Sequence, residues 1–232
     1  SSGFGYGMFT TDTVGPNGYS PNDYTHNFGG TSAAAPIISG VVALMLQANP
    51  DLNWRDVQEI LLMTSRKNEP EHTDWIVNGA GMNFNHYFGA GVVDVIKAVN
   101  TSKTWNSLTS RITVSDIIYP NQVIEDLSSN NFVFAFTQNI RIEHVELQVN
   151  IIHKYRLDLS IELESPSGTI SRMTTPLRSD HSVVLDNLNM GYTPSMDSYR
   201  NYDDWKFTTV ANWGESSLGV WKVRITDVYS GN

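Results

Sequence analysis

From Leu157 to Glu164 apolar and polar residues alternate without a break. Leu157, Leu159, Ile161 and Leu163 share one parity, and Asp158, Ser160, Glu162 and Glu164 the other. A period of two marks an antiparallel strand with one face on a core and the other in water. Ser165-Pro166-Ser167-Gly168 supplies the turn that closes it. Near the C-terminus "GVWKVRITD" repeats the pattern, with Trp221, Val223 and Ile225 opposite Val220, Lys222, Arg224 and Thr226. Further strands are expected at Phe132 to Phe136, Val145 to Ile151 and Val183 to Leu185, and no segment of helical period interrupts them. The second half is therefore predicted to be all-β, a sandwich or jelly roll.

The first hundred residues follow a different period. Between Ala33 and Asn49 the apolar residues Ile37, Ile38, Val41, Val42, Leu44, Met45 and Leu46 are too dense for a single narrow stripe, which predicts a buried helix. Ala33, Ala34, Ala35, Ser39, Gly40 and Ala43 would let other backbones approach it closely. Pro36 fits only near the first turn, where amide hydrogens lack intrahelical partners, so the helix should begin very close to Ser32. Asn53 can cap a second helix through Trp54, Val57, Ile60 and Leu61 that ends around Thr64 to Lys67, and Asp94 a short third one, Val95 to Val99. Helices joined by Gly-rich connections suit a piece of an α/β domain. The polar stretch "NTSKTWNSLTS" reads as the linker to the β half.

The 24 acidic against 15 basic residues, net −9, argue against a nucleic-acid partner, and 40% hydrophobic content permits a buried core. With no cysteine there is neither a disulfide framework nor a thiolate metal site. No apolar run is expected to reach the roughly 18 residues that span a bilayer. The start "SSGFGYGM" lacks the regions of a signal peptide and reads as a cut through a larger protein. Asn100-Thr101-Ser102 is an Asn-x-Ser sequon, which also arises by chance.

The chemistry centres on "HNFGGTSAAAP", His26 to Pro36. A serine hydroxyl is a poor nucleophile until a base takes its proton and donors stabilise the oxyanion that forms. A serine at a helix N-terminus has free backbone amides, its own included, and the positive end of the helix dipole beside it. Gly29 and Gly30 let a substrate backbone approach with no Cβ in the way. The alternative is that Ser32 is only the cap of an alanine-rich helix.

"GGTSAAAPIISGVVALMLQANPDLNWRDVQEIL" resembles the active-site serine segment of the subtilisin-like serine proteases, in the kexin and furin branch. The resemblance extends to "FTTD" at Phe9 to Asp12 and to "TDWIVNGAGMNFNHYFGAGVVD" from Thr73 to Asp94. In the β half, "YRLDLSIELESPSGTISRM" and "DDWKFTTVANWGESSLGVWKVRITD" resemble the P domain of that branch. It implies a subtilisin-like α/β catalytic domain, C-terminal portion only, over residues 1–103, and an all-β jelly-roll P domain over 104–232. Ser32 is then the nucleophile and a backbone oxyanion donor, with Gly30 and Thr31 where substrate approaches. The triad order Asp, His, Ser places the base and its aspartate before this sequence. The implied protein is a secreted or cell-surface endopeptidase that cleaves peptide substrates, after basic residues, and binds calcium. Its partner is the N-terminal part of the same catalytic domain. The other class of reading is a β-sandwich binding or adhesion module attached to a degenerate protease.

Phe28 stands where that branch usually carries a histidine, and His26 is two positions out of place. His72, His86, His144, His153 and His181 lack zinc-ligand spacing and read as surface or capping residues. Asp197, Asp203-Asp204 and Asp227 raise a calcium site but fit solvated turns better. Trp205, Trp213 and Phe207 could form a carbohydrate-binding face, whereas the alternation around Trp221 places it in the core.

Overall fold

The computed structural model describes residues 7–153, 155–176 and 201–230. The chain divides into two compact units, Ser1–Arg66 with Val92–Thr109 and Lys67–Gly91 with Ser110–Asn232. Residues 67–91 cluster with the β half. The expected strand at Val183 to Leu185, His181 and Asp197 lie outside the described residues.

In the first unit an antiparallel hairpin, β1 (Met8–Thr11) and β2 (Tyr24–Phe28), precedes helix α1 (Thr31–Ala48). Helix α2 (Trp54–Thr64) starts from a reciprocal cap. Asn53 Oδ1 accepts the Arg55 and Asp56 amides at 2.8 and 3.2 Å, while Asp56 Oδ2 accepts the Asn53 amide at 2.9 Å. Helix α3 (Val95–Ser102) is capped by Asp94, which accepts the Lys97 amide at 2.9 Å. It runs past the expected end at Val99. Val41 and Met45 of α1, Ile60 of α2 and Ala98 of α3 share one apolar cluster with Leu52.

Helix α1 departs from expectation in two respects. Of its dense apolar set, Ile37, Ile38, Leu44 and Leu46 stay exposed in this chain, so it is buried on one side only. It is also 18 residues long and apolar enough to pass for a membrane span by length and composition, where no such run was expected.

The polar stretch after α3 is held down. Asp56, fully buried, accepts the Trp105 indole N–H at 3.1 Å and the Leu108 amide at 2.8 Å. Burial alone would raise its pKa, but these donors, with the Asn53 amide and the Ser107 hydroxyl, hold it below the usual aspartate value.

The second unit begins with two short paired strands, β3 (Ile76–Val77) and β4 (Asn83–Phe84). Then come β5 (Ser129–Phe136), β6 (Val145–Ile151), β7 (Leu159–Glu164), β8 (Ile170–Arg172), β9 (Tyr202–Thr209) and β10 (Gly219–Asp227). They form a four-stranded sheet in the order β5-β10-β7-β8 and a β6-β9 pair, all antiparallel. Leu159, Ile161, Leu163, Trp221, Val223 and Ile225 of the larger sheet share one core with Leu147, Ile151 and Tyr202 of the pair. Two sheets bury their inner faces against each other in this way. Outside, Lys222 pairs with Glu164 at 2.9 Å and Arg224 with Glu162 at 3.1 Å.

The alternation expected from Leu157 fails at its start. Arg156–Asp158 form a 3-10 turn, so Leu157 is only partly buried while Arg156 and Asp158 are buried. Three residues per turn replace the strand's two and turn the polar side chains inward.

Candidate active site

The chain reaches Ser32 from β2 through two glycines. Gly30 is the residue before α1 and has φ 78°, a conformation that a side chain would strain. A Cβ added to Gly29 or Gly30 would meet nothing within 4 Å in this chain.

Ser32 is the second residue of α1, not its cap. Gly30 occupies the N-cap position, and no side chain caps the helix. The capping role weighed in the sequence does not occur, and the exposed hydroxyl is not spent on it. Thr31 and Ser32 lie in the first turn, whose amides have no carbonyl one turn back. The Ser32 N–H is thus oriented with the helix dipole and available to an oxyanion. Pro36 lies at the sixth helical position rather than in the first turn. It has no N–H to offer the Ser32 carbonyl, so the turn carrying the serine lacks that intrahelical bond.

No histidine or aspartate among the described residues serves Ser32 as a base. His26 projects from β2 and packs on the Phe9 ring at 4.6 Å. The remaining described histidines belong to the β unit, where His144 is exposed as expected and His72, His86 and His153 are partly buried. His153 Nε2 lies 3.3 Å from Asp227 Oδ2, both side chains being buried. His72 accepts the Asp74 amide at 3.2 Å and packs edge-on against Tyr87 and Phe88. His144 packs edge-on against Trp213.

Residues 67–91 are tied to the β strands by three sets of contacts. The Arg172 amide donates to His86 Nε2 at 3.0 Å, which leaves Nδ1 to donate to Asp74 Oδ2 at 3.1 Å. Arg172 also pairs with Asp74. Burial pushes the Asp74 carboxyl up, but the His86 backbone and ring donors and the Arg172 charge hold it below the usual value. The Asn78 amide donates to the Ala211 and Trp213 carbonyls, both at 2.9 Å. Buried Glu215 accepts the Gly79 amide at 2.7 Å, the Asn212 side chain at 3.1 Å and the Thr169 hydroxyl.

Among the described residues, the aspartates considered for calcium do not converge. Asp203 and Asp204 are exposed on β9, whereas Asp227 is buried beside His153 rather than placed in a solvated turn. No group of three or more potential ligands stands together among the described residues. The aromatic trio does not form a sugar-binding face either, because Trp213 is fully buried. Trp221 is buried as expected and donates its N–H to the Ser217 carbonyl at 2.9 Å.

Residues 6–91, with Ser32 among them, match the sequence model of the Subtilase family, and residues 142–232 match that of the Proprotein convertase P-domain. The first segment is thus similar to the subtilases and the second to the P-domain of the proprotein convertases. It is 36% identical over 228 residues to the PC3-like endoprotease variant B of Hydra vulgaris, covering 95% of this chain and 29% of that protein. Human proprotein convertase subtilisin/kexin type 6 is 36% identical over 211 residues, which is 87% of this chain and 20% of that protein. The crystal structure of the Aeromonas sobria serine protease in complex with its chaperone superposes with a TM-score of 0.81 at 26% identity, over 97% of this chain and 45% of that one. The chain thus spans less than a third of the curated relatives cited and under half of that solved protease. Its subtilase segment carries the serine, and its P-domain segment carries the β sheets that hold residues 67–91.

Proposed function

We propose that the protein of which this chain is part is a serine endopeptidase of the subtilisin and kexin type, with Ser32 as nucleophile. The observation that carries this is the exposed Ser32 in the open first turn of α1, within the subtilase-matching segment. A histidine in the upstream part of the catalytic domain takes the Oγ proton as Oγ bonds to the scissile carbonyl carbon. The oxyanion that forms is stabilised by the Ser32 N–H among other donors, and the base then delivers the proton to the departing amine. Water repeats the sequence on the acyl-enzyme and releases the acid. Gly30 and Thr31 line the approach.

The protein would cleave after basic residues and act in a secreted or cell-surface location, a reading supported by the likeness to convertases. The protein would bind calcium, as the resemblance to the convertase branch implies, and Asp203, Asp204 and Asp227 do not come together as its ligands. Residues 1–103 complete a subtilisin-like α/β domain, and residues 104–232 form a jelly-roll P domain that also grips the loop 67–91. The binding-module reading is the less favoured one, since the subtilase match includes the nucleophile segment intact.

The test is a fluorophosphonate probe applied to the full-length protein. Labelling at Ser32 and loss of peptide cleavage in a folded Ser32→Ala variant are expected, by a factor on the order of a thousand or more. Labelling elsewhere, or an active Ser32→Ala protein, overturns the assignment.

A further inference from the structure

The hairpin that leads into Ser32 carries an aromatic face that nothing among the described residues covers. Cross-strand partners Met8 with Phe28 and Thr11 with Tyr24 share one face, and strand alternation adds His26 to it. The opposite face turns Thr25 inward, only 2% exposed. The register shifts between Met8 and Thr10, a bulge that turns Phe9 onto the outer face as well. There the Phe9 ring stacks on Tyr24 at 5.5 Å with a 14° interplanar angle and on His26 at 4.6 Å. Phe9 remains 60% and Tyr24 54% exposed.

A contiguous cluster of stacked rings facing solvent marks a surface that contacts something. Its place in the chain says what. Phe28 ends β2 four residues before Ser32, so their Cα atoms lie within about 14 Å of each other. An extended polypeptide, at roughly 3.3 Å per residue, covers that distance in about four residues. The acidic groups of the same hairpin are turned to its own backbone. Asp12 accepts the Thr13 and Ser20 amides, both at 2.8 Å, and Asp23 the Gly15 amide at 3.0 Å. The stacked face itself carries no carboxylate.

We propose that Phe9, Tyr24 and His26 form a specificity surface for the polypeptide substrate, seating an aromatic or large aliphatic side chain within about four residues of the bond cleaved at Ser32. This rests on Ser32 being the nucleophile, and it adds a second determinant to any requirement set by the residue at the cleaved bond.

The experiment uses the full-length enzyme and peptides that differ at one position, Phe, Leu, Ser or Lys, scanned over four residues on each side of the cleavage site. At one position wild type should cleave the Phe and Leu peptides about tenfold better in kcat/KM than the Ser peptide. Tyr24→Ser and Phe9→Ser should each remove most of that preference while leaving the Ser peptide within about twofold, and Tyr24→Phe should retain it. A small fluorophosphonate should label Ser32 in every variant. If wild type is not labelled at Ser32, the nucleophile reading fails, and this surface with it. If labelling holds, the surface is overturned when, away from the residue at the cleaved bond, no position favours apolar residues or Lys is preferred to them, or when both serine variants lose activity equally on all peptides. Equal loss with a lowered melting temperature would mean that another part of the protein covers the face. Should Phe9→Ser fail to fold, Tyr24→Ser against Tyr24→Phe decides alone.

Discussion

Glu215 Oε1 accepts the backbone N–H of Gly79 at 2.7 Å across 136 residues of sequence, joining a loop of the subtilase segment to the P-domain segment. The carboxylate is buried and also satisfies Thr169 and Asn212, all neutral donors. In Glu215→Ala those donors lose their acceptor inside the protein, which should cost about 2–4 kcal/mol. Glu215→Gln should cost less, because Asn212 Oδ1 has no hydrogen-bond partner and a flipped Asn212 amide can accept from the new NH2. Chemical unfolding of the three proteins, with proteolysis within residues 67–91 as a local readout, checks the order wild type, Gln, Ala.

The same residue sets a pH dependence. Burial raises the Glu215 pKa, but Thr169, the Gly79 amide, Ser165 and Asn212 more than offset it and hold it below the usual glutamate range. A carboxylate with a depressed folded pKa contributes stability that is fully present above its unfolded pKa and is lost as pH falls through the folded one. Asp56 and Asp74 are shifted in the same direction. Unfolding midpoints should therefore hold steady from pH 7 to about 5 and fall below pH 4.5, more shallowly in Glu215→Gln. Equal slopes in both proteins would remove Glu215 from the account.

Gly79 tests the closeness of the same junction from the other side. A Cβ added there would lie 2.4 Å from Ser167 Cβ and 3.3 Å from Glu215 Oε1. Gly79→Ala should destabilise by about 1–3 kcal/mol through overpacking, measured as a lowered melting temperature.

Local rules were legible in the sequence, whereas contacts between distant segments were not. Asn53 and Asp94 cap as expected because capping needs only the next few residues. The strand Val145–Ile151 and the core side of Leu159, Ile161 and Leu163 follow from alternation alone. Asp158 and Asp227 looked solvent-facing, yet both are buried, Asp227 beside a histidine from a separate segment. The attachment of residues 67–91 to the β strands left no periodic trace, since it uses single polar side chains and one close glycine. At the site, the motif around Ser32 was readable. The bulge that turns Phe9 outward was not, because one extra residue in a short strand does not alter composition or period.

Asp56 provides a test confined to the first unit. Its carboxylate caps α2 and fastens the segment after α3 through Trp105 and Leu108. Asp56→Ala removes the reciprocal cap, worth about 1 kcal/mol, and leaves the indole and amide donors without their acceptor, for a total of about 2–3 kcal/mol. Fluorescence of Trp105 should become more solvent-exposed along with the loss of stability. Unchanged emission at reduced stability would assign the whole effect to the cap.

The two faces of the four-stranded sheet should respond oppositely to truncation. Ile161 on β7 is fully buried among Trp221, Val223 and Leu159, while Val133 on β5 is 53% exposed on the outer face. Removing the Ile161 side chain beyond Cβ empties a packed site and forfeits its transfer free energy, so Ile161→Ala should cost about 2–5 kcal/mol. Val133→Ala loses less burial and some strand propensity, for about 0.5–1 kcal/mol. Urea unfolding of the two variants at equal protein concentration measures the contrast. A Val133→Ala cost as large as that of Ile161→Ala would show that the outer face is covered in the intact protein.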